Sequence, residues 1–333
     1  MARFKGVYRR TWYENQMLFH AMTDVLRAFG GAGIPTILLK GAALVLQYYG
    51  DYGLRSMEDF DILVPPDQAR RAVAVLRDLG FTPQWDNRPD EEVLTTRHGW
   101  DFQNDAGWLV DLHWYVFHDQ TDPEPDVEFW NAAVPRIVGG IPTATLNPAD
   151  QLLHVIVHGT AWVPEPSVRW VPDAMAILRS GELDWARLLT QARRRGYTLL
   201  LRMTLPYLRE TLGAPVPLRV CQELKTAPVS RAERITYAAK SRPPERWGPW
   251  LALCMAYLDF ASATSSSGGR LPHIAALPRY LQRRWGAQSV WHVPVAAAYR
   301  LVRRIGWAAR SRVRRLRGGV RTARSLRWNA RGG

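Results

Sequence analysis

The chain's 333 residues are enough for two domains, or one domain with a long elaboration, and for a sizeable core. Its two cysteines, Cys221 and Cys254, stand in separate segments, and no run of 18 uninterrupted apolar residues occurs, which excludes a disulfide framework and a membrane-spanning helix. The net charge of +14 is not spread evenly: 16 arginines and no acidic residue follow Asp259, while the first 259 residues carry 28 basic and 30 acidic side chains, so a basic surface belongs to the C-terminal segment alone.

Residues 12–29 repeat apolar side chains with helical periodicity, and Gly30-Gly31 closes that helix. The N-terminal basic residues are not followed by an apolar stretch, so no secretory signal is expected. The run 34–39, opened by Pro35, reads as a short buried strand, and GAALVLQYY at 41–49 as a helix. A second strand spans 60–64; Pro65-Pro66 stops it, Asp67 is placed to cap a helix over 68–79, and Gly80 ends that helix.

Strands at 99–103 and 108–114 flank Asn104-Asp105-Ala106-Gly107, a hairpin turn. A shorter hairpin spans 134–145 around Gly139-Gly140. After Pro148 strand signals vanish, and helical periodicity recurs at 148–162, 172–180, 184–195, 197–212 and 248–262. SATSSSGG at 262–269 has a linker's composition. The expected fold is α+β. A domain over 1–146 has a small mixed sheet and flanking helices, an all-helical domain follows over 147–262, and a linker and basic helical tail occupy 263–333.

The chemistry gathers around RSMEDFDILV at 55–64. Strand alternation puts Asp59 and Asp61 on one face. Two carboxylates this close are costly to keep ionised unless a cation lies between them. Mg²⁺ suits them, since it takes oxygen ligands and completes its shell with water and phosphate oxygens. Upstream, Lys40-Gly41 stands at a strand-to-helix junction, where backbone N–H groups approach phosphates. Arg55 is in reach of a phosphate or a carboxylate. In WLVDLHW, Asp111 is a third carboxylate on a separate strand, with His113 on the same face.

These motifs, LLKGAAL, then Arg55-x-Met57-x-Asp59-x-Asp61, then VDLHW, resemble the polymerase-β-like nucleotidyltransferase superfamily. More closely, they resemble its bacterial family known as uncharacterised nucleotidyltransferase. Pro148-x-Asp150 leading to His154 and His158, and Arg169-Trp170-x-x-Asp173, extend the resemblance over 34–180. The superfamily usually has Gly-Ser or Gly-Gly about a dozen residues before its D-x-D; here the pair is Lys40-Gly41, with 17 residues between Gly41 and Asp59. The resemblance implies a nucleotidyltransferase-like catalytic domain over 1–146.

On that reading Asp59, Asp61 and Asp111 bind Mg²⁺ or Mn²⁺. Lys40, Gly41 and Arg55 steady the phosphates of an NTP, with ATP the expected one. His113 acts as a base or phosphate donor, or orients Asp111. The acceptor is a small molecule, peptide or protein. The alternatives are a phosphotransferase with the same carboxylate site and a catalytically weak nucleotide-binding or scaffold module. His154 and His158 share a helix face; a cleft lining suits them better than zinc. Arg169 and Asp173 have the spacing of an i,i+4 ion pair. In the tail, Val302, Ile305, Ala309, Val313, Leu316 and Val320 form one apolar stripe among arginines, so 300–331 suits an anionic membrane or a nucleic acid. The expected location is the cytoplasm, with peripheral attachment to a membrane through the tail.

Overall fold

The computed structural model describes residues 2–84, 94, 97–118, 123–161, 168–181, 183–241, 282, 289–292 and 294. The chain divides into two compact units, Met1–Gly268 and Gly269–Gly333. In the second unit the described residues form one 3₁₀ turn, Val290–His292. The expected helix 248–262, the linker 262–269 and the tail 300–331 lie outside the described residues.

The first unit is α+β, built on a seven-stranded mixed sheet. Helix α1 (Ala2–Gly31) precedes β1 (Ile37–Leu38) and α2 (Lys40–Leu44), which runs into a π-helical turn, Val45–Tyr49. Strand β2 (Phe60–Leu63), a 3₁₀ turn (Pro66–Gln68), α3 (Ala69–Asp78) and β3 (Thr82–Pro83) follow. Then come β4 (Gly99–Gln103), β5 (Leu109–His113), α4 (Pro123–Asn131), β6 (Val134–Val138) and β7 (Ile141–Thr145). Helices α5 (Pro148–Ala161), α6 (Trp170–Arg179), α7 (Trp185–Arg195), α8 (Thr198–Leu212), α9 (Leu218–Thr226) and α10 (Arg231–Lys240) complete the unit.

The strand order is β3-β4-β5-β2-β1-β7-β6. Both predicted hairpins form, with Gly99 opposite His113 and Val138 opposite Ile141. At the centre β2 runs parallel to β5, and β1 is antiparallel to β2 and parallel to β7. Alternation then separates two chemistries. Phe60, Ile62, Val110 and Leu112 are fully buried with Leu26 and Phe29 of α1 and Val73 and Leu76 of α3. On the other face Ile37 and Leu63 join a core shared with α5 to α9, including Leu152, Ile156, Leu201 and Leu224. Asp61, Asp111 and His113 lie on this second face, because they have the parity of Leu63.

Several local expectations are corrected. Helix α1 begins about ten residues before 12, and its added turns leave Phe4, Val7 and Tyr8 exposed. The strand expected over 34–39 shrinks to two residues, since Pro35 carries no N–H for a ladder. Asp67 does not cap α3. It sits in the 3₁₀ turn and accepts a hydrogen bond from the Gln68 side chain at 3.1 Å, and the helix begins after it. Helices α4, α9 and α10 were not expected. Among the described residues, no helix is long and apolar enough to cross a membrane.

Candidate active site

The parallel pairing of β2 with β5 sets Asp61 directly opposite Asp111 and Leu63 opposite His113. Directly paired residues on one sheet face have their Cβ atoms about 5 Å apart, so the register itself brings the carboxylates together. Asp61 is buried, at 1% exposure, and Asp111 is partly covered. Asp59 stands one residue before β2 and opens with Asp61 onto a cleft of about 310 Å³.

The ammonium of Lys40 closes this group. Its Nζ lies 2.6 Å from Asp61 Oδ1, 3.0 Å from Asp111 Oδ2 and 3.5 Å from His113 Nε2. His113 Nε2 lies 2.8 Å from Asp111 Oδ2 and 3.2 Å from Asp61 Oδ1. Among the described residues, Lys40 is the one non-glycine residue with positive φ, +41°. That conformation costs a residue with a side chain of order 1–3 kcal/mol and persists only where its surroundings impose it.

The charges tune one another. Burial opposes charge on Lys40, but Asp111 and Asp61 outweigh it and raise its pKa above the usual lysine range. Burial likewise opposes the His113 cation, and Asp111 overrides it, pushing the imidazole up to about 9. Burial alone would raise Asp111; His113 and Lys40 hold it well below the usual carboxylate range. Asp59 is the carboxylate left under strain: the charge of Asp61, then burial, push it up to about 6 despite Lys40.

Two supports fix the loop ahead of β2. Arg55 donates to Asp173 of α6 twice, Nε to Oδ1 at 2.9 Å and Nη2 to Oδ2 at 3.1 Å, and the Tyr49 hydroxyl donates to the same Oδ1 at 2.8 Å. Asn15 of α1 donates to the carbonyls of Tyr52 and Arg55, both at 2.6 Å. A Cβ on Gly41 would meet Arg55 Nη1 at 2.6 Å and Met57 Sδ at 2.9 Å, so only glycine lets these side chains lie across the start of α2.

The cleft therefore gathers Lys40, Gly41, Arg55, Asp59 and Asp61, with Asp111 and His113 joined through Lys40 and Asp61. His154 and His158 of α5 line its other wall. The expected pairing of Arg169 with Asp173 does not form. Asp173 accepts from Arg55 instead, and Arg169 lies 3.7 Å from Glu58 on the exposed rim. His98 escaped sequence reasoning; its ring centroid is 5.0 Å from that of His113, and burial holds it neutral. Nothing in GWDFQ or its flank marks that residue, because the contact depends on the β4–β5 register.

The residues fit a divalent cation. Among the described residues, Asp61, Asp111 and His113 each offer a ligand atom, all within 4.8 Å of one another. That the same carboxylates already converge on an ammonium shows that their summed field favours a positive charge at this point. Asp59, raised by unrelieved repulsion, stands next to it.

A family model described as uncharacterised nucleotidyltransferase matches residues 1–213. No curated protein matches the chain. Similar solved structures include the solution structure of the antibiotic-resistance factor ANT(2'')-Ia, at 13% identity and TM-score 0.40, with 56% of this chain and 96% of that one covered. The crystal structure of ANT(2'')-Ia in complex with adenylyl-2''-tobramycin matches at 14% identity and TM-score 0.39, covering 54% of this chain and 98% of that one. An antigenic nucleotidyltransferase-like protein from Paracoccidioides brasiliensis matches at 16% identity and TM-score 0.39, covering 61% and 95%.

Proposed function

The chain belongs to this family of nucleotidyltransferases, and from that premise we propose that it transfers a nucleoside monophosphate from an NTP, with ATP the expected one, to a small-molecule, peptide or protein acceptor in a divalent-metal-dependent reaction. The observation that carries the proposal is the cross-strand pair Asp61–Asp111, closed around a positive charge with Asp59 beside it at the edge of an open cleft. Asp59, Asp61 and Asp111 are the residues that would hold Mg²⁺ or Mn²⁺. A bound cation supplies neutralisation of the charge that develops on the transferring phosphate.

The protein's own residues do the rest. Lys40 and Gly41, at the cleft wall, contact the phosphates. Arg55 differs in role from a phosphate clamp: its guanidinium is engaged by Asp173, so it positions the loop that carries Asp59. Asp111 lines up and helps activate the acceptor hydroxyl, with His113 hydrogen-bonded to it at 2.8 Å and fixing its orientation. Positioning and charge complementarity account for most of the rate in such a site. On composition alone, residues 300–331, whose only charged side chains are arginines, suit an anionic membrane surface or a nucleic acid.

The double substitution Asp59→Asn with Asp61→Asn tests the proposal. We expect transfer to fall below detection while the circular dichroism spectrum stays unchanged. Full transfer activity in the double variant would overturn the assignment.

A further inference from the structure

We propose that Lys40 is a built-in counter-ion that keeps Asp61 and Asp111 closed to a divalent cation until a nucleotide draws its ammonium away, so that cation and nucleotide bind cooperatively. This rests on the metal-dependent reading above and adds to it a coupling between the two ligands.

The first ground is geometric. The ammonium contacts Asp61 Oδ1 at 2.6 Å and Asp111 Oδ2 at 3.0 Å, so it bridges the two strands through the oxygens that a cation would use. Mg²⁺ binds carboxylate oxygens at about 2.0–2.1 Å. A divalent ion shared by those oxygens and an ammonium spanning them would overlap and repel. The two occupants exclude each other.

The second ground is the backbone. A left-handed conformation at a residue with a side chain is imposed by the surroundings, and such strain is typical of elements that move during function. At Lys40 the imposed conformation aims a four-methylene chain into the carboxylates. Leaving them gives up those ion pairs and frees the junction between β1 and α2 to relax.

The third ground is where the ammonium goes. Lys40 and Gly41 line the same cleft as Asp59 and Asp61. Arg55, the neighbouring cation, is engaged by both oxygens of Asp173. A triphosphate entering the cleft therefore gives the Lys40 ammonium a new anionic partner while the divalent cation takes over the aspartates. Charge stays balanced at both places only if both ligands arrive. Each then raises the affinity of the other by the same factor. Cation alone must displace the ammonium without offering it a partner, and binds poorly.

The test measures Mn²⁺ binding to the full chain by electron paramagnetic resonance, with and without the non-hydrolysable α,β-methylene analogue of ATP. Wild type is compared with Lys40→Met and with Lys40→Gln, which keeps a polar head if the apolar one impairs folding. Without nucleotide, both variants should bind Mn²⁺ at least tenfold more tightly than wild type. The analogue should tighten Mn²⁺ binding strongly in wild type and only weakly in the variants. Mn²⁺ should also raise the melting temperature of the variants more than that of wild type. Equal Mn²⁺ affinity in all three proteins without nucleotide overturns the counter-ion role alone. Mn²⁺ binding by none of them, with or without the analogue, overturns the metal site itself and with it the proposed reaction.

Discussion

Gly41 leaves no room for a side chain. Its backbone passes under the Arg55 guanidinium and the Met57 thioether, and an added methyl would meet both. Gly41→Ala should push Arg55 off Asp173 and shift the loop carrying Asp59. Displacements of this kind cost up to about 100-fold in rate, so kcat/KM for transfer should fall by roughly that factor in steady-state assays, with a modest drop in Tm. His154 gives a different kind of prediction. It is 2% exposed, and burial holds its pKa well below the ordinary histidine range. A depressed histidine adds no penalty above its unfolded pKa of about 6.5; below it the unfolded chain gains a proton that the fold refuses. Stability should therefore fall by up to about 1.4 kcal/mol per pH unit as pH drops below about 6.5, and His154→Gln should flatten that slope in urea unfolding. The three aspartates were legible in the sequence because D-x-D before an apolar run and a lone Asp in WLVDLHW are local patterns. The partners of Arg55 and Lys40 were not. Asp173 lies 118 residues from Arg55, and the i,i+4 rule that favoured Arg169 lost to a part-buried bidentate pair.

At the scale of elements, the helices α5 to α8 and both hairpins follow from periodicity and turn residues, since each has a continuous apolar stripe or a glycine turn to mark it. Helix α4 carries Pro123 and Pro125, which a helix interior disfavours. In the structure they fall in its first turn, where the missing N–H groups would have had no intrahelical partner. Helix α4 matters because it delivers Asp126. The Asp126 carboxylate accepts from the Val116 N–H at 2.9 Å, just past β5, and from Arg195 Nη1 of α7 at 3.1 Å. The Arg195 guanidinium also stacks over Phe129 at 4.1 Å. Both partners are buried, so removing one takes from the other its carboxylate–guanidinium contact in a place water does not reach. Asp126→Ala should destabilise the protein by about 3–5 kcal/mol in chemical denaturation, because this pair ties the strand that carries Asp111 to the helical layer.

For the molecule as a whole, the charge distribution and the sheet divide the labour. The first 259 residues are close to neutral, and within them the sheet turns an apolar face to α1 and α3 and an acidic one to the cleft. The motif resemblance covered 34–180, whereas the family match takes in 1–213. The additional stretch is explained by contacts rather than motifs: α1 holds the Arg55 loop through Asn15, and α7 and α8 complete the core under α5. The central claim is nucleotidyl rather than phosphoryl transfer at Asp59, Asp61 and Asp111. It is tested most directly by incubating the protein with Mg²⁺, cell extract and each NTP labelled in parallel at the α and the γ phosphate. The expected acceptor product is labelled from the α position only, and none forms with Asp61→Asn. Label transferred from the γ position, or undiminished transfer by Asp61→Asn, would contradict it.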